Sequence, residues 1–300
     1  MNRYALAVDV GGTKLEAALV GDDGTIVDGS RTRRPTGRDA DAVSLDAAIG
    51  EAVAHALAAL PANAELVGAG IGSAGPVDRS AGAIDPVNMP SAHGYPLAEA
   101  VRRAASAVLG RDVAAVLGHD GGALALAESW LGATRGARAA LSIVVSTGVG
   151  GGFTLDGAYA PGASGNAGHL GQVRREGGLT LEEIASGPAS AAWARSQGWN
   201  GATGEDLARD AAAGVSTARR AIERSARAVG EALADAATLV DLDVVAIGGG
   251  FSRVSDDYID LVQQALSASA VHAYSRRTRV VRSGLGDGGP LIGAAALVLR

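Results

Sequence analysis

Residues 4–20 read YALAVDVGGTKLEAALV, and this stretch decides the fold class. Two apolar runs, 4–10 and 14–20, have the composition of β-strands and are joined by a tight glycine turn. An Asp-Asp-Gly turn at 22–24 predicts a third strand over 25–32. The chain therefore opens as a β-meander. Because the first glycine turn leads into a strand and not a helix, the pattern disfavours a dinucleotide-binding fold.

Strands and helices alternate after this opening, and the pattern restarts near residue 139. The later predicted elements are a helix at 44–60, a strand at 66–71, a helix at 97–109, a strand at 113–117, strands at 139–146 and 151–155, helices from about 180, 203 and 216, and a strand at 243–247. This order predicts an α/β protein in which helices cover mixed sheets. We expect two lobes: an N-terminal lobe of 1–120, completed by about 287–300, and a C-terminal lobe of 121–286.

Composition narrows the classes of function. The 300 residues are 47% hydrophobic with a formal charge of -6 and no long basic run, so a surface for nucleic acid or anionic membrane is not expected. No cysteine occurs, which excludes disulfides, thiolate zinc sites and a cysteine nucleophile. The apolar runs are shorter than the roughly 20 residues of a membrane span, and no secretion signal is recognisable. We therefore expect a soluble cytoplasmic protein that binds a small molecule.

Three glycine-rich turns each follow an apolar strand. Glycines allow backbone N–H groups to approach phosphate oxygens, and two such turns in two half-domains can hold one nucleotide. Each turn alone is also compatible with an ordinary hairpin or a helix-entry turn. The predicted nucleotide-binding residues are Asp9, Gly11, Gly12, Thr13 and Lys14 in the first turn, Thr147, Gly148 and Gly150 in the second, and Gly248 and Gly249 in the third, with Asp9 also the predicted Mg²⁺ ligand.

Asp120 is the candidate general base. It follows a predicted strand and precedes an alanine-rich helix, a position from which a carboxylate can accept a proton from a hydroxyl during phosphoryl transfer. The alternative is that Asp120 only caps the helix. A polar, glycine-rich loop at 162–172 contains His169 and can present hydrogen-bonding groups to a polyol. Glu182 can equally begin a helix and complement its dipole.

Taken in order, these segments resemble the ROK family of repressors, open reading frames and kinases, within the actin-like, hexokinase-like ATPase superfamily. The matching segments are 9–14, 72–78, 88–97, 119–120, 146–152, 162–172, 182–187 and 247–250. The resemblance implies a two-lobed actin-like (ribonuclease H-like) fold, ATP with Mg²⁺, Asp120 as catalytic base and a homodimer. It also implies that Asn88 and Glu182 contact a sugar. Family repressors carry a helix-turn-helix before the first motif, and with eight residues before Asp9 we do not expect such a module here.

The departures from the family pattern lie on the sugar side. His119 stands where the family has asparagine in an Asn-Asp-Ala-Asn motif, and Gly122 stands at its last position. His169 and Gln172 replace the family's glutamate and histidine, and a histidine at 169 resembles N-acetylmannosamine kinases. We place His119, Asp120 and His169 in the predicted sugar site. Because the loop at 173–181 is short and lacks the family's three cysteines, no zinc is expected.

The sequence thus predicts an ATP-dependent sugar kinase. Its substrate would be a hydroxyl, the 6-hydroxyl in the family resembled, of a hexose or N-acetylhexosamine such as glucose or N-acetylmannosamine. The alternative is a catalytically weak sugar sensor or binding protein without a DNA-binding domain.

Overall fold

The computed structural model of the chain describes residues 2–300, which form two compact units. The first contains residues 2–131, Ala158–Ala167 and Leu285–Arg300; the second contains Gly132–Gly157 and Gly168–Gly284. The strands are β1 Arg3–Val10, β2 Lys14–Gly21, β3 Thr32–Pro35, β4 Glu65–Ser73, β5 Val77–Asp78, β6 Ala83–Ile84, β7 Ala115–His119, β8 Ala139–Val145, β9 Val149–Leu155, β10 Ala158–Ala160, β11 Val244–Gly248 and β12 Arg279–Arg282. The α-helices are α1 Ala42–Ala58, α2 Leu97–Leu109, α3 Asp120–Leu131, α4 Leu181–Ala185, α5 Gly187–Ser196, α6 Gly204–Ala212, α7 Ser216–Val240, α8 Tyr258–Ser269, α9 Ala273–Arg276 and α10 Gly289–Leu299.

The first unit is built on a mixed sheet with strand order β3-β2-β1-β4-β7. The three strands of the meander are antiparallel, whereas β1, β4 and β7 are parallel neighbours. Side chains of β1 alternate between two cores: Leu6 and Val8 pack on the side of α1 and α2, and Ala5 and Ala7 pack towards α10. Helices therefore cover both faces of this sheet, which explains why β1 has hardly any polar residue before Asp9.

The sheet of the second unit repeats this plan. Strands β9, β8, β11 and β12 lie side by side, with β8 and β9 antiparallel and β8, β11 and β12 parallel. Leu141, Ile143 and Val145 on β8 lie in one core with the long helix α7. The predicted mixed sheet in each half is confirmed.

Two predictions about the first unit differ from the structure. The predicted third strand at 25–32 is wrong: Ile26 forms an isolated bridge with Val20, and strand β3 starts only at Thr32. The predicted boundary after residue 120 also differs from the division observed, which places α3 in the first unit. Helix α3 packs so tightly on α10 that a Cβ added at Gly293 would lie 2.5 Å from the carbonyl oxygen of Ala123.

Within residues 2–300, none of the helices combines the length and the apolar composition that a membrane span requires.

Candidate active site

The predicted residues of the first unit gather at one edge of its sheet. Strands β1, β4 and β7 are parallel, so their carboxyl ends meet at the same edge, where ligands of open α/β sheets commonly bind. Asp9 pairs with Gly72 on β4, and Gly72 pairs with Gly118 on β7. At about 4.8 Å between neighbouring strands, the end of β1 lies about 10 Å from the end of β7, where Asp120 follows.

Asp9 is a carboxylate in an unfavourable environment. The pKa of Asp9 is raised to about 7, mainly by burial and to a smaller extent by the negative charge of Asp120. A divalent cation would relieve both effects, because it would favour the ionised carboxylate. A carboxylate that gains a counter-ion fits the way Mg²⁺ is usually held, by one or two carboxylates together with phosphate oxygens and water. Asp9 is the residue that would hold Mg²⁺ here.

The glycine turn after Asp9 is closed by backbone bonds and fixed from outside. The N–H of Gly11 donates to the carbonyl of Lys14 at 2.9 Å. Thr36, just after β3, donates its hydroxyl to the carbonyl of Gly11 at 2.7 Å and its N–H to the carbonyl of Thr13 at 3.1 Å. The turn is therefore held in one conformation before any ligand arrives, as a phosphate-binding loop requires.

Asn88 lies directly against this turn. A Cβ added at Gly12 would collide with the side-chain amide of Asn88, so any larger residue at position 12 would displace Asn88. The predicted sugar contact Asn88 and the predicted phosphate residue Gly12 are thus neighbours within the first unit.

A buried carboxylate, Glu16, organises three cations beside Asp9. Glu16 is only 2% exposed, pairs with Asp9 across β1 and β2, and is bonded to Lys14. Arg31 and Arg33 each place a guanidinium nitrogen 3.0 Å from its Oε1. Burial would raise the pKa of Glu16, but the bonds from these cations, that from Lys14 foremost, hold it below its ordinary value. The sequence reasoning missed this cluster, although the two-residue spacing of the arginines predicts that they share one side of an extended strand.

Asp120 begins α3 with a half-exposed side chain anchored at one oxygen. Its Oδ1 accepts the N–H of Gly121 at 2.6 Å and lies 3.0 Å from Nε2 of His119. A helix cap would accept an amide two or three residues further on, so the bond to Gly121 does not match the capping alternative. His119 is almost completely buried beneath it, with a side chain 4% exposed.

Tyr159 is a site residue that the sequence reasoning missed. A Cβ added at Gly122 would collide with the phenol of Tyr159, so the ring occupies the space that a side chain at 122 would need. The phenol donates to the carbonyl of Gly165 at 3.2 Å, and the guanidinium of Arg79 lies 5.8 Å from the ring centre. Burial raises the pKa of Tyr159; the charge of Arg79 opposes this shift, and the charge of Asp120 adds to it. The sequence contained one sign of this contact, because Gly122 replaces the asparagine at the last position of the Asn-Asp-Ala-Asn motif.

In the second unit, the second and third glycine turns lie together. Gly248 pairs with Val144 across the parallel strands β8 and β11, so both turns leave the same edge of the sheet. Gly249 has φ of 93°, and a Cβ there would lie 2.5 Å from the carbonyl oxygen of Val145. Position 249 therefore requires glycine on both conformational and steric grounds. The structure brings together the predicted residues Thr147, Gly148, Gly150, Gly248 and Gly249.

Glu182 anchors the second turn. Its Oε2 accepts the N–H of Val149 at 2.8 Å, and Nε2 of Gln172 lies 3.5 Å from its Oε1. Helix α4, which carries Glu182, begins with a capping box in which Thr180 and Glu183 bond reciprocally. The predicted sugar contact Glu182 thus lies against a predicted phosphate turn.

His169 lies in a loop that packs on β9 through its backbone. A Cβ added at Gly171 would collide with the carbonyl of Val149, and one at Gly168 would collide with that of Gly151. His169 itself, partly exposed, precedes the short 3₁₀ helix Leu170–Gln172. The loop that carries His169 therefore belongs to the second unit and packs against β9, the strand that follows the second turn.

The segment that carries zinc in the resembled family is closed by hydrogen bonds. Arg174 and Thr180 form a β-bridge, and the N–H of Arg175 donates to the carbonyl of Leu179 at 2.8 Å. The Arg175 guanidinium also lies 2.5 Å from Oδ2 of Asp235 on α7. With no cysteine in the sequence, a thiolate zinc site cannot form here, and the absence of zinc itself stays a prediction.

The predicted residues therefore form two sets, one in each unit. The first set contains Asp9, Gly11, Gly12, Thr13, Lys14, Asn88, His119 and Asp120; the second contains Thr147, Gly148, Gly150, His169, Glu182, Gly248 and Gly249. Each set lies at the carboxyl edge of a sheet or packs against it. Their roles in binding and catalysis stay predictions.

Comparison with known proteins identifies the family. The model of the ROK family matches residues 5–300. The N-acetylmannosamine kinase of Escherichia fergusonii is 32% identical over 272 residues, which cover 87% of this chain and 88% of that protein. The bifunctional enzyme NanE/NanK of Brucella suis is 33% identical over 299 residues, or 97% of this chain, and the chain spans about half of that protein, 52%.

A solved structure gives the same answer for the fold. The ROK family glucokinase of Streptomyces griseus, in complex with glucose and AMPPNP, superposes with a TM-score of 0.80 at 26% identity, covering 98% of this chain and 99% of that one. A family match over nearly the whole chain, relatives above 30% identity and a shared fold agree with one another. The chain belongs to the ROK family.

Proposed function

We propose that this protein is an ATP-dependent sugar kinase that phosphorylates the 6-hydroxyl of a hexose or N-acetylhexosamine. The observation that carries the proposal is the pair of carboxylates, Asp9 and Asp120, at one sheet edge of the first unit, close enough for the charge of one to raise the pKa of the other. Phosphoryl transfer to a hydroxyl uses such a pair, one carboxylate for a metal ion and one for the proton. The kinase relatives support this reading.

On the donor side, the glycine turns would bind the phosphates of ATP through backbone N–H groups. The turn at 11–13 is already fixed by Thr36, so little conformational entropy would be lost on binding. Lys14 would add a positive charge next to the turn. Asp9 would hold Mg²⁺, which supplies positive charge to the phosphate oxygens during transfer.

On the acceptor side, Asp120 would accept the proton of the sugar hydroxyl. The hydroxyl oxygen forms its bond to the γ-phosphorus as the bond to the leaving oxygen of ADP breaks, and the proton moves to the carboxylate. Because Oδ1 of Asp120 already accepts one N–H and lies beside His119, Oδ2 is the oxygen available for this proton.

N-acetylmannosamine and glucose are the two sugars to test first. The histidine at 169, the resemblance to N-acetylmannosamine kinases and a relative of that name favour an N-acetylated sugar. The shared fold with a glucokinase keeps glucose as the other candidate. Discrimination between them would come from hydrogen bonds to the acetamido group, whose loss leaves buried polar groups unpaired.

A coupled assay of ADP release over a panel of hexoses and N-acetylhexosamines tests the proposal. We expect turnover with at least one sugar, and a decrease in kcat of about 10²- to 10⁴-fold for Asp120→Asn, because removal of a general base has effects of that size. Asp39→Asn changes an exposed carboxylate in a surface turn and serves as the matched control. Absence of turnover above the Asp120→Asn background for every sugar would refute the kinase.

A catalytically weak sugar-binding protein is the second candidate, favoured by the departures at His119, His169 and Gln172. Calorimetry that finds tight sugar binding without ATP turnover would support it. The hydrogen bonds that close the loop at 173–181 support the kinase, because they come from residues of the loop itself and need no cysteine ligands.

Two further features complete the proposal. A kinase that uses ATP would work in the cytoplasm, and the family resemblance suggests a homodimer. Analytical ultracentrifugation of the full chain would measure its oligomeric state. A monomeric mass at the concentration used in the assay would contradict the homodimer.

A further inference from the structure

His119 is a buried residue beside a half-exposed base. Its side chain is 4% exposed, whereas that of Asp120 is 48% exposed, and Nε2 of the imidazole lies 3.0 Å from Oδ1 of the carboxylate. The family resemblance implied a sugar contact at position 119. A side chain with so little accessible surface offers a sugar almost nothing to bind.

We propose that His119 is a positioning residue, which donates its Nε2–H to Oδ1 of Asp120 and thereby directs Oδ2 towards the substrate hydroxyl. The inference rests on the proposed function, because it assigns a role relative to the base of that reaction. The N–H of Gly121, 2.6 Å from the same oxygen, is the second donor. Two donors on one oxygen fix the rotation of the carboxylate, which a single bond to the adjacent residue would leave free.

The position of His119 in the sheet suits it to this role. It is the last residue of β7 and pairs with Ser73, a fully buried residue of β4. Although β7 is the edge strand of its sheet, His119 is buried, and its rigid ring therefore has few orientations available. Asp120, one residue later, lies where the chain turns into α3 and would otherwise be free to sample several rotamers.

Side chains of different length at position 119 can distinguish a positioning role from a general need for a polar group there. The amide nitrogen of asparagine reaches only as far as Nδ1 of histidine, while that of glutamine reaches about as far as Nε2. Asparagine at 119 is the family's usual residue, but it would leave Oδ1 of Asp120 without its second donor. Glutamine would restore that donor at a similar place.

Steady-state kinetics of His119→Asn and His119→Gln test the proposal on the full chain. We expect kcat to fall about 10- to 100-fold in the Asn variant, with the KM values for sugar and ATP within about threefold of wild type, because a hydrogen bond to a charged group is lost. The Gln variant should recover kcat to within about threefold of wild type. A rise in the sugar KM with kcat unchanged would overturn the proposal in favour of a sugar contact. Equal losses in both variants would overturn it as well.

A second measurement does not depend on turnover. In protein labelled with ¹⁵N-histidine, the Nε2–H of His119 can be assigned by elimination, with single variants of the other four histidines, His55, His93, His169 and His272. This Nε2–H should be protected from exchange, and its proton signal should move upfield in Asp120→Ala. A signal that Asp120→Ala leaves unchanged would overturn the proposal even if both variants of His119 failed to fold. If the wild type turns over no sugar, the proposed function fails, and this signal alone still decides whether His119 holds Asp120.

Discussion

Asp9→Asn should make the protein more stable at high pH, because it removes an ionisation that folding disfavours. In the folded protein Asp9 keeps its proton up to about pH 7, whereas its ordinary pKa is 3.8. Between these values the unfolded chain binds fewer protons than the folded one, so stability falls as the pH rises. The contribution of Asp9 is therefore fully present below about pH 4 and lost above about pH 7.

The size of the effect follows from the two pKa values. Their difference of about three pKa units, at about 1.4 kcal/mol each, sets a ceiling of about 4 kcal/mol. Since Asp9 is not fully enclosed and solvent screens its charge, we expect about 2 kcal/mol at pH 8. At about 2 °C for each kcal/mol in a chain of this size, Asp9→Asn should melt about 4 °C above the wild type.

Thermal melts from pH 4 to pH 9, in buffer without nucleotide or divalent cation, provide the measurement. The difference in Tm between Asp9→Asn and wild type should be near zero at pH 4, grow as the pH rises and level off above pH 7. Asp39→Asn, which changes an exposed carboxylate in a surface turn, is the matched control for the loss of a negative charge. Parallel curves for Asp9→Asn and wild type over the whole range would refute the reasoning about burial and the charge of Asp120.

Three other perturbations have defined outcomes. Glu16→Gln leaves three cations around a neutral amide and should lower the free energy of unfolding in urea by about 1–3 kcal/mol, less at high salt; an unchanged value would contradict the role of the cluster. The added Cβ of Gly70→Ala would collide with the carbonyl of Ala294 on α10, so this variant should lower the free energy of unfolding by about 3 kcal/mol or more. The matched control, Gly50→Ala, places its Cβ in open space on α1 and should leave the free energy of unfolding unchanged or raise it by up to about 1 kcal/mol. Arg175→Ala should speed the exchange of backbone amide hydrogens at 173–181, whereas addition of a metal chelator to the wild type should leave their exchange unchanged. Faster exchange with the chelator and unchanged exchange in Arg175→Ala would indicate a bound metal.

The sequence predicted the fold well where local patterns and packing agree. Helix α2 was predicted with its observed bounds, Leu97–Leu109, because a proline precedes it and Gly110 ends it in the left-handed conformation. The strand predicted at 25–32 failed because the chain turns at Gly29, with φ of 74°, before it pairs again. The apolar residues of this segment form a single β-bridge, from Ile26 to Val20, and not a continuous strand pairing.

The candidate site was predictable only in its backbone motifs. The glycine turns and Asp120 follow strands, and the ends of strands can be read from local sequence. Tyr159 could not be found in this way, because it reaches Gly122 from 37 positions further along the chain and from a short strand without a strong pattern. The partners of Glu16 depend on the register of β3 against β2, which sequence reasoning had placed several residues too early.

The ring of Tyr159 occupies the volume that a side chain at position 122 would need, so we expect substitutions at the two positions to have coupled effects. A homologue that gains a side chain at 122 must move or shrink the residue at 159, and one that loses the ring leaves a hollow at the start of α3. The pair therefore behaves as a single exchangeable element of the wall around Asp120. Efforts to retarget the acceptor by changing either residue alone should yield poorly packed proteins, whereas paired exchanges such as Gly122→Asn with Tyr159→Ala should fold.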